Sequence, residues 1–250
     1  MLLPTHPWRI SYSSDTHNPV TDFYIPALEC AISYDRKAGF FNSSILSAVA
    51  RGLGAMLENI QDSRESKIRL IMGCQFSPKD LAIITQGYEL RQAFETCIDR
   101  NFTSPANFAQ LHHFEILSWL IQHHILDIRI AIPLKSDGNP EDSEAQLEPH
   151  RLFHEKTGII TDAQGNQIAF NGSNNESMGG WYANVESFHI YCSWEGGREL
   201  ERVELERDRF LQLWQNKMPN VRLFDIPEAT KLRLLRYLPS QKPQWNPALS

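Results

Sequence analysis

The sequence predicts an α/β fold, a mixed β-sheet flanked by helices on both faces, on three observations. Apolar runs of strand length alternate along the chain with longer amphipathic stretches of helical period. Ser77-Pro78-Lys79-Asp80 has the chemistry of a helix start, with Ser at the cap and Pro at the first position. Ala163-Gln164-Gly165-Asn166 has the Gly/Asn character of a hairpin turn between two apolar runs.

The elements follow in order. Ala31 to Tyr34 is expected as a first strand, leading into a turn at Gly39-Phe40-Phe41. Ser43 or Ser44 caps a helix to about Asn59, whose Ile45, Leu46, Val49, Leu53 and Leu57 fall on one face. Lys67 to Cys74 reads as a buried strand, and the helix opened by Ser77 extends towards Ile98. Another helix, Asn107 to His123, precedes a strand at Ile128 to Ile132. Ile159 to Asp162 and Gln167 to Gly172 form the hairpin, and Val185 to Trp194 a further strand. Gly196 to Trp214 is a long charged helix and Pro227 to Tyr237 a final one. Residues 1–238 are read as one domain and 239–250, with three prolines, as a tail or linker.

Composition describes an ordinary soluble protein: 42% hydrophobic and 22% charged residues over 250 positions, enough for a sizeable core. No stretch is apolar enough to span a membrane and Met1 to Arg9 lacks a signal-peptide pattern, so a cytoplasmic location is expected. Cys30, Cys74, Cys97 and Cys192 are too scattered for a zinc site or a disulfide scaffold and read as reduced core thiols. The net charge of -6 opposes nucleic-acid binding, but residues 137–148 alone carry five acids and no base. That segment reads as a solvated insertion, with the sharper alternative that it competes with a nucleic-acid backbone at a basic site.

The chemistry concentrates after it. His154 and Lys156 are two apart, so on a strand they share a face and can meet one phosphate together. Nine His and eight Lys would produce that spacing about 0.3 times by chance, so the pair is informative only in its setting. The setting is specific. Ser173 and Asn175 repeat the spacing after Gly172, and Glu186 stands near the start of the following strand, where a carboxylate can fix an imidazole tautomer.

His154-x-Lys156, Gly172-Ser173-x-Asn175 and Glu186 resemble the signature of the phospholipase D superfamily. More narrowly, His-Glu-Lys-x-Gly-Ile, the Asp-x-x-Gly-Asn turn and Gly-Ser-x-Asn-Glu-Ser resemble the phospholipase D-like domain at the N-terminus of bacterial DEAD/DEAH-type helicases of restriction and phage defence. The likeness is best over residues 150–194 and extends weakly through Ala38-Gly39-Phe40-Phe41, Lys67 to Cys74 and Phe224 to Ala229. Two departures stand out: the superfamily's Asp falls where this chain has Thr161, Asp162 lying one place later, and the loop to Gly172 is long. Asp162 is therefore left out of the site.

The resemblance implies a phospholipase D-like sheet, DNA as substrate and a phosphohistidine mechanism. His154 attacks phosphorus, a second His protonates the leaving oxygen, and Lys156 and Asn175 bind the nonbridging oxygens. The scheme needs no metal or other cofactor. Only one His-x-Lys occurs, so a homodimer is expected, with two copies of His154, Lys156, Ser173, Asn175 and Glu186 facing across a two-fold axis. A helicase domain or subunit is a further expected partner, but no nucleotide-binding loop is present, so no ATPase activity is expected of these residues.

Other features carry blander readings. His112, His113, His123 and His124 read as surface or core histidines rather than a metal site, since helical neighbours diverge by about 100°. His189 faces away from Glu186 and reads as structural. Trp181, with Tyr182, is either a stacking platform for an unpaired base or packs on the core or a partner. Arg36 and Lys37, expected on a turn within reach of a backbone phosphate, read mainly as solvated. Three function classes remain: a metal-independent DNA endonuclease, a catalytically weak nucleic-acid-binding module serving a helicase, and a phospholipid phosphodiesterase. The absence of an anchor or basic amphipathic helix disfavours the last.

Overall fold

The computed structural model describes residues 1–39, 44–60, 67–73, 108–134, 153–173, 186–226, 228–243 and 245. An eight-stranded mixed sheet runs through them: β1 Ser11–Ser13, β2 Ala31–Ala38, β3 Ile68–Gly73, β4 Leu126–Pro133, β5 Thr157–Asp162, β6 Gln167–Gly172, β7 Ser187–Cys192 and β8 Val221–Asp225. The order across the sheet is β1-β7-β6-β5-β2-β3-β4-β8. β2, β3 and β4 are mutually parallel, and every other neighbouring pair is antiparallel.

The helices among the described residues are α1 Ile25–Cys30, α2 Ser44–Ala48, α3 Ala50–Asn59, α4 Phe108–Gln122, α5 Gly197–Trp214 and α6 Glu228–Leu235. They lie on both faces, as the alternation of elements predicts. One face carries the larger core, in which α1 to α4 and α6 pack Leu28, Ile45, Leu53, Leu117 and Leu234 against Ile68, Ile128, Ile160, Phe170 and Phe188. The other face carries α5 over a smaller core of Ile71, Ala131, Phe153, Ile159, Ala169, Val203, Phe210 and Leu213.

The apolar face predicted for the second helix is buried at Ile45, Leu46, Val49 and Leu53, although the helix breaks into α2 and α3 at Val49. β2 runs four residues beyond the expected end, to Ala38, because pairing with β3 on one side and β5 on the other satisfies its backbone. β1, β8, the π-helical turn Val20–Tyr24 and α1 went unpredicted. β1 and β8 are short edge strands whose hydrogen bonds come from distant chain, which local periodicity does not register. The helix expected from Ser77 to Ile98 and the acidic segment 137–148 lie outside the described residues, as do Phe40 and Phe41.

Beneath α5 the sheet is unusually charged. Arg69 forks onto Asp35 with two 2.6 Å hydrogen bonds and stacks 5.0 Å from the Phe210 ring centre. Arg129 lies 4.0 Å from the Trp214 ring centre and donates to the Trp214 carbonyl at 2.8 Å, capping the helix C-terminus with a cation. Only Val203, Phe210 and Leu213 of this helix are buried, so guanidinium stacking supplements a thin apolar seam. At the far terminus, Trp245 stacks edge-on to Trp119 of α4 at 5.6 Å, so that part of the 239–250 tail lies against the body. No described helix is long and apolar enough to cross a membrane.

Candidate functional site

The parallel strands β2, β3 and β4 end at one edge of the sheet, where β5 begins, β6 ends and β7 begins. In open α/β sheets the crevice at the carboxyl ends of the strands is the usual ligand position. His154 and Lys156 lie there on the lead-in to β5. The strand expected to hold them starts only at Thr157. Lys156 still extends the ladder, its carbonyl accepting the Gly172 N–H at 3.3 Å, whereas His154 lies beyond the pairing and is exposed.

Side chains alternate along this lead-in. Phe153 is buried in the core under α5, and Glu155 points to the same side, where it pairs with Lys37 at 2.6 Å and Arg209 at 3.1 Å. Lys156 takes the opposite face, towards Arg36 and Glu186, and is 7% exposed. Close backbone packing holds the segment: a Cβ at Gly73 would stand 2.8 Å from the Phe153 carbonyl and 2.7 Å from that of Gly39, so only glycine lets the β3 end pass between them.

Electrostatically, Lys156 is the perturbed group. Burial lowers its pKa from the ordinary lysine value, the nearby Arg36 guanidinium lowers it further, and the Glu186 carboxylate opposes both. Its Nζ donates to the His154 carbonyl at 3.1 Å. A partly desolvated ammonium beside a second cation favours a dianionic or monoanionic ligand over water.

Arg36 and Lys37 correct the reading that placed them on a solvated turn. Each is 1% exposed, because β2 continues through them as a central strand covered on both faces. Arg36 sits opposite Gly158 of β5, 5.1 Å from the Phe170 ring centre, and Lys37 is neutralised by Glu155 and by Glu206 of α5 at 3.2 Å. Three consecutive charged residues, Asp35, Arg36 and Lys37, carry no local signal of burial.

The remaining site residues come from neighbouring strand ends. The Ser173 N–H donates to the Ser187 carbonyl at 3.0 Å, and its hydroxyl accepts the Ser187 N–H at 3.2 Å, locking the exit of β6 to the entrance of β7. Glu186 immediately precedes β7. Its N–H donates to the Ser14 hydroxyl at 2.9 Å and its carbonyl accepts the Ser14 N–H, which ties it to the N-terminal segment. Lys156, Glu186 and Arg36 are thus brought together electrostatically, with His154 and Ser173 on the adjoining chain. Asn175, Trp181 and Tyr182 lie outside the described residues.

Asp162 occupies the other end of β5. It is fully buried, and its carboxylate accepts the Leu3 N–H at 3.0 Å, the Gln164 N–H at 2.9 Å and the Asn166 N–H at 3.0 Å. His189 is exposed on β7, and His123 stacks 4.2 Å from Trp119. Among the described residues no three His, Cys, Asp or Glu side chains gather as metal ligands.

No protein-family model matches the chain, and no curated protein does. Among solved structures, NucT from Helicobacter pylori is similar at 13% identity, with 82% of this chain and 94% of that one covered and a TM-score of 0.46. Nuc from Salmonella typhimurium, a phospholipase D family member, is similar at 13% identity, with 86% and 97% covered and a TM-score of 0.40.

Proposed function

We propose that this chain is a metal-independent phosphodiesterase of the phospholipase D type that cleaves DNA through a phosphohistidine on His154. The observation that carries the reading is the convergence at one sheet end of an exposed His154, a desolvated Lys156 and the Glu186 carboxylate, from two separate stretches of sequence.

In this reading the His154 imidazole attacks phosphorus and the P–O bond to the leaving strand breaks, the departing oxygen taking a proton from the His154 of a second copy. Water then attacks the phosphohistidine, gives its proton to that second imidazole, and frees His154. Lys156 holds the nonbridging oxygens as charge builds, where low exposure strengthens its pull, and Asn175 assists. Glu186 keeps the imidazole's tautomer. A homodimer supplies the second histidine, and the enzyme acts in the cytoplasm in restriction or phage defence beside a helicase.

The test is cleavage of single- and double-stranded DNA in EDTA by the native chain and by His154→Ala. EDTA-resistant cleavage that vanishes in the mutant supports the reading. No cleavage with DNA binding intact replaces it with a binding module serving a helicase, and turnover of phospholipid in place of DNA replaces the substrate.

A further inference from the structure

We propose that Glu155, the residue between His154 and Lys156, is a positioning residue that clamps the reactive segment to α5; the proposal rests on the phosphodiesterase reading for its catalytic consequence, though not for its structure. One Glu155 oxygen contacts the buried Lys37 ammonium at 2.6 Å and the other meets Arg209 of α5 at 3.1 Å. The same ammonium binds Glu206 of α5 at 3.2 Å. Glu155 therefore stands between β2 and α5, and because neighbouring side chains of an extended segment alternate, fixing Glu155 on one side fixes where His154 and Lys156 project on the other.

Three features make this more than a surface ion pair. The Lys37 side chain is 1% exposed and that of Glu155 33%, so water screens their attraction less than it would a fully exposed pair. Phe153 adds an apolar anchor on the same side two residues earlier, in the core that holds Val203 and Phe210 of α5. Among the described residues the segment's other restraints are backbone ones, the close packing of the Phe153 carbonyl on Gly73 and the 3.3 Å bond from the Gly172 N–H to the Lys156 carbonyl, and it precedes β5. Regular strand pairing begins only at Thr157, so the side-chain network adds to the limited register that the backbone gives.

Removing Glu155 leaves Lys37 paired with Glu206, so the fold should survive the change that releases the clamp. The experiment compares the native full chain with Glu155→Gln and Glu155→Ala. Two readouts are taken: amide exchange of the Gly172 N–H, and steady-state hydrolysis of bis(p-nitrophenyl) phosphate. In Glu155→Ala the Gly172 amide should exchange about tenfold faster while the Ile160 and Ile168 amides keep their protection. The kcat should fall about 10- to 100-fold with KM within about twofold, the signature of a misplaced nucleophile in a folded site. Glu155→Gln keeps one oxygen acceptor, enough for the Lys37 ammonium, but turns an N–H donor towards Arg209, so it should recover only the part of both effects that rests on the Lys37 contact.

Unchanged Gly172 exchange in Glu155→Ala would overturn the clamp. So would a loss of activity that only tracks the unfolded fraction. If the native chain hydrolyses no phosphodiester, the functional reading fails, and the amide exchange still decides whether the clamp exists.

Discussion

Gly158→Ala tests how tightly the site is built onto the aromatic core. A Cβ at Gly158 would overlap Cζ and Cε1 of Phe170 and stand 2.9 Å from Cε2, against an ordinary contact of 3.4 Å or more. The ring has little room to retreat. Phe23 is centred 5.0 Å away, Tyr24 and Phe188 both 5.6 Å away, and the Arg36 guanidinium lies 5.1 Å from its centre. Overpacking of a confined core costs roughly 1–3 kcal/mol, and full overlap with a caged ring belongs at the upper end. Stiffening of the unfolded chain returns about 0.4–1 kcal/mol. The net loss is about 2 kcal/mol, which for a chain of this size lowers Tm by roughly 4–8 °C. Urea denaturation of the native chain, Gly158→Ala, Phe170→Leu and the double variant measures it. The overlap requires the double variant to be less destabilised than the sum of the singles, with a coupling of about 1 kcal/mol or more. Strictly additive losses, or an unchanged midpoint in Gly158→Ala, would refute the argument that Phe170 fills the space a side chain would take.

Three other outcomes follow from the structure. Burial and the Arg36 guanidinium hold the Lys156 pKa below the ordinary lysine value, so folding disfavours its charged form. That cost is fully present below the folded pKa and is relieved as pH rises through it towards the ordinary value, so Lys156→Met should raise Tm at pH 7 while abolishing cleavage; a lowered Tm would contradict the sign. Asp162→Ala strips the acceptor from three backbone N–H groups, including that of Leu3, and should cost about 3 kcal/mol in chemical denaturation, with earlier proteolysis at the N-terminus; a loss below about 1 kcal/mol would show that the hairpin holds without it. Burial, with Glu195 and Glu199 nearby, pushes the Cys192 thiol up to about 12, so at pH 8 peptide mapping after iodoacetamide should find it alkylated far more slowly than a free thiol.

Much of the architecture was legible because it rests on local pattern. The β5–β6 hairpin was readable from two apolar runs around a Gly/Asn turn, and α5 from its length and spacing, because those signals are short-range. β1 and β8 were not, since three and five residues at a sheet edge are made strands by partners far along the chain. His154, Lys156, Ser173 and Glu186 were singled out by spacing and by resemblance, and the sheet brings their chain segments to one edge. Arg36 and Lys37 escaped because burial of a cation is decided by tertiary partners. Phe170 is held on one by aromatic packing, and Glu155 and Glu206 reach the other from positions about 120 and 170 residues away.

The position of Asp162 also bears on the chemistry. Two carboxylates near the motif compete for the role of orienting the imidazole, and strand geometry separates them. From Lys156 to Asp162 the chain advances six residues in nearly extended form, about 20 Å at roughly 3.3 Å per residue, so the Asp162 carboxylate sits at the far end of β5. It is also committed there, accepting from Leu3, Gln164 and Asn166, so recruiting it to His154 would require dismantling the hairpin that creates β5 and β6. Glu186 is in the opposite situation. It enters at the same sheet edge as Lys156, its backbone is pinned by Ser14, and its charge acts on the Lys156 ammonium. A shift of the acid by one residue, from the place held by Thr161 to Asp162, therefore removes nothing from the proposed reaction, because a residue at either place lies at the remote end of the strand while the carboxylate at the Lys156 end is that of Glu186, just before β7.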